Sequence, residues 1–191
     1  MLAARARACR PAVVSLYRRL LGSDFDRLPP LLRDMHAGDA VLTAAGEAVV
    51  ERGANRLARL LASAAGFPPA GRYGLQVTFT PTGDAEVWTR RYGDHVMTSR
   101  LAAQRGRLVE RFGPFRFAFT LTADAAGLAQ HDAGWWCLGV PLPRWLGPRT
   151  LAREWQADGR FCLDVAIELP LLGLMVAYRG WLVPIGAASE A

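Results

Sequence analysis

The stretch Glu86-Val87-Trp88-Thr89-Arg90-Arg91-Tyr92 decides how this chain is read. Successive side chains of a β-strand point to opposite faces. As a strand, the stretch puts Glu86, Trp88, Arg90 and Tyr92 on one side and Val87, Thr89 and Arg91 on the other. A strand that only backs a core would carry aliphatic residues on one face. Here one face combines an acid, a base and two large amphipathic rings. That is the lining of a polar pocket, or of a buried ion pair roofed by aromatics.

The same two-residue rhythm runs outward from this stretch. After Gly71, strands are expected at Leu75–Thr80, Glu86–Tyr92, His95–Leu101, Arg107–Phe112 and Phe115–Leu121. Further strands are expected at Gly134–Leu138, Leu151–Ala157, Arg160–Leu169 and Leu174–Val183. Turn signals separate them, among them Gly93-Asp94, Gly113-Pro114 and Asp158-Gly159. Asp-Gly supplies the positive φ angles that tight hairpins need. Strands that follow one another this closely form an antiparallel sheet. About eight or nine of them curl into a barrel or a strongly bent sheet.

Before Gly71 the pattern is mainly helical. Pro11 suits a first helical turn, and Val13, Leu16, Tyr17, Leu20 and Leu21 recur at helical spacing up to Gly22. Leu31–His36 reads as a second, short helix. Gly46, between Val41-Leu42 and Val49-Val50, suggests a small hairpin. A third helix opens after Gly53-Ala54-Asn55, with Leu57, Leu60, Leu61 and Ala64 along one face and Gly66 as its cap. The expected fold class is α+β, with N-terminal helices packed on a strongly curved antiparallel sheet or β-barrel. A single domain is expected over residues 1–191, helical over 11–66 and β over 72–184, with flexible ends 1–10 and 185–191.

The chain has 191 residues, 51% of them hydrophobic, enough for a large unaided core. Its formal charge is +6, and every basic side chain apart from histidine is Arg. These arginines are spread along the sequence and often sit beside an acid, as in Arg33-Asp34, Glu51-Arg52, Glu110-Arg111 and Arg153-Glu154. A nucleic-acid footprint clusters instead, so no nucleic-acid partner is expected. The three cysteines, Cys9, Cys137 and Cys162, share no metal or redox spacing, and Cys137 and Cys162 read as core thiols. Neither a metal site nor a cofactor is implied. The apolar window Leu169–Ile185 contains Pro170 and Arg179 and reads as a strand pair rather than a membrane span. Without an apolar signal core near the N-terminus, a cytoplasmic location is expected.

Several strands oppose a polar face to an apolar one. In Arg160–Leu169, Asp164 and Glu168 lie opposite Phe161, Leu163, Val165, Ile167 and Leu169. If this strand and Leu174–Val183 form a hairpin, Arg179 lies near Asp164 or Glu168. The candidate ligand-binding residues are therefore Glu86, Trp88, Arg90, Tyr92, Glu110, Asp164, Glu168 and Arg179. Glu86, Glu110, Asp164 and Glu168 are also the candidate acids, and His95 and His131 the candidate bases, but none has a known catalytic spacing. Ser99 lacks a nucleophile elbow, and there is no phosphate-binding glycine loop. The proline-rich run Gly139–Pro148 reads as an extended loop anchored by Leu142 and Trp145, plugging one barrel end or covering a ligand.

Together these motifs resemble the family called domain of unknown function 4166. The resemblance rests on Leu16–Gly22 with Phe25 and Leu28-Pro29, Glu51-Arg52-Gly53, Glu86–Arg90 and Glu110–Pro114. It continues through Gly139–Leu146, Leu169–Gly173 and Tyr178-Arg179-Gly180. The family implies a bacterial protein without an assigned activity. Some members are fused behind dehydrogenase-like domains, which implies a dehydrogenase-like protein partner. Three functions stay open: binding of a small apolar or amphipathic ligand, cofactor-free isomerase or hydrolase chemistry with a carboxylate base, and docking to that partner.

Overall fold

The computed structural model describes residues 14–185. Eleven antiparallel strands follow and interleave with short helices. They are β1 (Leu42–Arg52), β2 (Gly71–Thr82), β3 (Ala85–Tyr92), β4 (His95–Gln104), β5 (Arg107–Phe112) and β6 (Phe115–Asp124), then β7 (Gly127–Cys137), β8 (Val140–Leu142), β9 (Arg149–Ala157), β10 (Arg160–Leu169) and β11 (Gly173–Ile185). Each ring strand pairs with the next, β7 pairs with β9, and β11 returns to β1. The result is a closed barrel of 10 strands, with β8 outside it.

The expected barrel is therefore present, with more strands than the periodicity suggested. The difference arises at β1, where Gly46 is not a turn. It sits mid-strand opposite Leu182 and Leu75. A Cβ at Gly46 would lie 1.9 Å from the Trp181 carbonyl oxygen, so this glycine permits close strand approach. The expected helical segment 11–66 thus contains a ring strand. β7 also begins earlier than expected, at Gly127, and the proline-rich run contributes β8 and a 3-10 turn at Arg144–Leu146. Expectations for residues 1–10 and 186–191 lie outside the described residues, as does the start of the first helix, while Ile185 still belongs to β11.

The helices do not pack on the sheet's outer face. The segment with α1 (Leu16–Leu21), a 3-10 turn (Gly22–Arg27) and α2 (Pro30–Met35) closes one end of the barrel. Ser15 caps α1 by accepting from the Arg18 amide at 3.0 Å, and Pro30 opens α2 where a missing N–H costs nothing. Leu16, Tyr17, Phe25, Leu28, Leu32 and Met35 are all buried there. Arg19 to Asp84 (3.0 Å) and the Leu31 amide to Gln156 (3.1 Å) tie this plug to the rim. α3 (Arg56–Ala64) belongs to the β1–β2 connection at the opposite end, capped by Asn55.

Inside the ring, Leu75, Val77, Met97, Leu108, Phe119, Phe161 and Leu182 are buried, while Arg91, Arg100, Arg111 and Arg153 on the outside are exposed. This is the reverse of a barrel surrounded by lipid. Among the described residues no helix is long and apolar enough to cross a membrane. Cys137 and Cys162 are only half-buried, because Cys162 falls on the outward face of β10. Gly46→Ala should lower stability by about 1–3 kcal/mol, the range for forced overpacking. Gly74→Ala, where an added Cβ meets nothing within 4 Å, should be neutral or slightly stabilising. Denaturant unfolding of the two variants measures the difference.

Candidate functional site

The inward faces of the strands enclose a cavity of about 830 Å³. That volume falls in the range of small-molecule sites, about 300–1,000 Å³. Its walls are mostly apolar, from Leu75, Val77 and Met97 on one side to Leu163, Val165 and Ile167 on the other. The plug seals the end nearest Phe161 and Trp88. At the other end the lining continues into Leu61, Phe115, Trp145 and Leu171, three of which are exposed, so the cavity opens there.

Of the quoted β3 face, Trp88, Arg90 and Tyr92 line this cavity, with Glu110 of β5 beside them. Arg90 Nη2 donates to Glu110 Oε1 at 3.3 Å, and Arg90 Nη1 to Ser99 Oγ at 2.8 Å. The guanidinium also lies 5.0 Å from the Trp88 ring centroid. Burial, the largest single influence, opposes its charge, but Glu110 together with Tyr178, Tyr92 and Tyr17 holds the guanidinium above its ordinary range. Tyr92 and Tyr178 complete this group, their rings 6.2 Å apart edge to face. Burial pushes the Tyr92 phenol up to about 12, and burial followed by the adjacent Tyr92 raises that of Tyr178 further.

Glu86 lies deeper, at 4% exposure, and does not line the cavity. Its Oε2 accepts from the Trp88 indole N–H at 2.9 Å and so fixes that ring. The remaining three candidates sit outside. β10 and β11 do pair, with Asp164 opposite Arg179 and a 3.1 Å contact between them. That pair is on the outer wall, and Glu168 is exposed there too, because β10 turns its apolar face, Phe161 to Leu169, into the cavity. His131 is exposed and contacts Thr122 at 3.0 Å. His95 is half-buried against the Gly66 carbonyl at 2.7 Å.

The periodicity did not single out the closest buried polar pair. His36 of the plug, wholly buried, meets Glu154 Oε2 at 2.7 Å, and Glu154 lines the cavity. His36 is stacked on Tyr17 (centroids 4.0 Å) with Trp88 beyond it (5.8 Å). A carboxylate held this way is oriented, and the imidazole behind it can share its proton. Burial, with Glu154 and Glu86 adding to it, raises the Tyr17 phenol well above its ordinary value. Among the described residues no group of three His, Cys, Asp or Glu is placed to hold a metal ion.

The raised phenols have a defined consequence at high pH. A neutral Tyr92 favours the folded state fully below its unfolded pKa of about 10. That contribution is lost as pH rises towards about 12. In an alkaline titration, tyrosinate absorbance from Tyr17, Tyr92 and Tyr178 should therefore appear together with loss of near-ultraviolet circular dichroism. Ionisation of these tyrosines at their ordinary pKa with the fold intact would contradict the burial described.

No curated protein matches the chain. Residues 28–182 match the family described as Domain of unknown function (DUF4166), and the chain belongs to that family.

Proposed function

We propose that this protein binds one small amphipathic molecule inside the barrel. The observation that carries the reading is the cavity of about 830 Å³, apolar from mouth to floor except for a few converging polar groups. Arg90, held by Glu110 and Ser99, lies 5.0 Å from the Trp88 ring that borders the plug, so the head group of the ligand is placed beside it. The ligand's tail lies along Leu163, Val165, Ile167 and Phe112.

The charges of the lining set the head group. They are Arg90 against Glu110 and Glu154, a formal excess of one negative charge. Arg90 is already held by Glu110 and Ser99. An anionic head would have to displace Glu110 and would leave it unpaired at depth, which is costly. A hydroxyl or carbonyl head can instead exchange hydrogen bonds with Arg90, Tyr92 and Tyr178 without adding charge. The bound molecule is therefore an uncharged amphiphile. The outer residues Asp164, Glu168 and Arg179 play no part in this reading.

A second reading is favoured by the His36–Glu154 pair, which gives the cavity an oriented carboxylate base. In that case the bound molecule would be a substrate for isomerisation or hydrolysis, with Glu154 taking the proton and His36 positioning it.

Matched chain lengths test the first reading. Dodecan-1-ol should quench or shift tryptophan emission with an affinity at least about tenfold above that of dodecanoate. Val165→Trp, which fills the cavity from its wall, should weaken dodecanol binding by about tenfold or more while the protein stays folded. Failure of both probes to bind removes the reading. Native mass spectrometry followed by chromatographic comparison of the released ligand separates the two readings, since hydrolysis changes the mass, isomerisation changes the retention time, and a ligand unchanged in both after incubation belongs to a binding protein.

A further inference from the structure

We infer that the open end of the barrel docks on an anionic lipid surface. The first observation is α3, whose polarity is inverted. Ala58 and Ala62 are buried, while Leu57, Leu60 and Leu61 face outward, Leu60 at 64% exposure. The sequence pattern places these leucines on one helical face, and a core would take that face inside. Here the same face meets the cavity mouth through Leu61 and Ala64.

The second observation is that the β8–β9 connection and the β10–β11 turn, across the mouth, do the same. Trp145, at 73% exposure, and Leu171, fully exposed, both stand at the cavity rim. Leu171 holds a φ of 66°, a left-handed conformation that a leucine rarely adopts. Nothing inside the protein is gained by placing a strained leucine in water. Bulky apolar side chains from three separate segments thus form one rim around one opening. A helix with exposed leucines and flanking arginines, joined by a tryptophan, matches the chemistry of interfacial binding.

Charge chooses the surface. Arg56, Arg59, Arg72, Arg91, Arg111 and Arg149 are exposed at this end of the barrel, against Glu51, Asp94 and Glu168. Among the described residues none of these six arginines is in an ion pair; at the plug end Arg18, Arg19 and Arg27 pair with Asp26, Asp84 and Asp24, and the exposed Arg105, Arg107 and Arg160 are offset by the exposed Asp34, Asp39, Asp124 and Asp158. The side chains counted at the mouth, six arginines against three acids, leave it a formal excess of three positive charges. A positive, apolar ring complements anionic phospholipid head groups and the acyl layer beneath them. It also places the cavity mouth against the bilayer, where an amphiphile is dissolved.

Flotation with vesicles tests this. The protein should float with phosphatidylcholine vesicles containing phosphatidylglycerol, and bind at least about tenfold less to phosphatidylcholine alone or at high salt. Leu60→Asp and Leu57→Asp should each weaken flotation by about tenfold or more. Neither residue lines the cavity, so both variants should keep dodecanol binding, which also reports that they are folded and separates this inference from the ligand reading. Val41→Asp, an exposed apolar position at the plug end, should float like the parent. Brominated lipids should quench Trp145, with Trp145→Phe as the control. Three results would each overturn the inference. They are flotation unchanged in Leu57→Asp and Leu60→Asp, absence of flotation with either vesicle, and a stable dimer or nucleic-acid complex that protects Trp145 in place of lipid.

Discussion

The pairing of β1 with β11 is the contact on which the remainder of the structure rests. It joins Thr43 to Ile185 and runs without a break to Arg52 and Val176. Without it the sheet would be an open ribbon with a bent apolar face. With it, the face becomes an interior. Two glycines make the approach feasible. A side chain at Gly46 would meet the Trp181 carbonyl, and one at Gly180 would meet the Glu47 carbonyl at 2.4 Å. Each lies on one strand and relieves the other, so the seam depends on both.

Closure gives the molecule two unlike ends. At one, an aromatic stack of Tyr17, His36 and Trp88, edged by Phe79 and Phe161, fills the ring. At the other, Arg52 donates to the Phe67 and Pro68 carbonyls and folds the β1–β2 connection over the rim, where Phe67 packs on Phe112 at 5.2 Å. Polar groups of the interior are held in pairs, although the Tyr17 hydroxyl, Glu86 Oε1 and His36 Nδ1 have no hydrogen-bond partner among the described residues. Glu86 fixes Trp88, Glu110 and Ser99 hold Arg90, and His36 holds Glu154.

Much of the barrel was legible because alternation reports strand and face together. The β3 face was recognisable from Glu86 to Tyr92 since rings and charges together exclude a plain core. Which side of a strand is inside, however, is a property of the ring. In β10 both faces are plausible linings on their own, and only closure turns Phe161–Leu169 inward and leaves Asp164 and Glu168 outside. Gly46 was ambiguous because a glycine that marks a turn and one that permits close approach look alike in sequence. The leucines of α3 carried a core signal and are exposed, because nothing in a helical period says whether a helix covers a core or rims a mouth. His36 and Glu154 are 118 residues apart, so no local pattern could join them. The chain's arginines are dispersed in sequence, and folding brings six exposed, unpaired ones together at the mouth.

A ring whose first and last strands are neighbours has an order of events built into it. β1 can pair with β2 early, but its other edge stays open until Gly173–Ile185 arrives. Pairing across such a separation is slow, since a long loop must close before the contact rewards it. During that interval the inner faces of the other strands are exposed to water, and two unpaired edges are available to other chains. A molecule that suits the cavity would meet those faces before the seam shuts. For this architecture the interior gains its shelter last, so whatever shields those faces during the interval acts on an open ribbon rather than on a finished barrel.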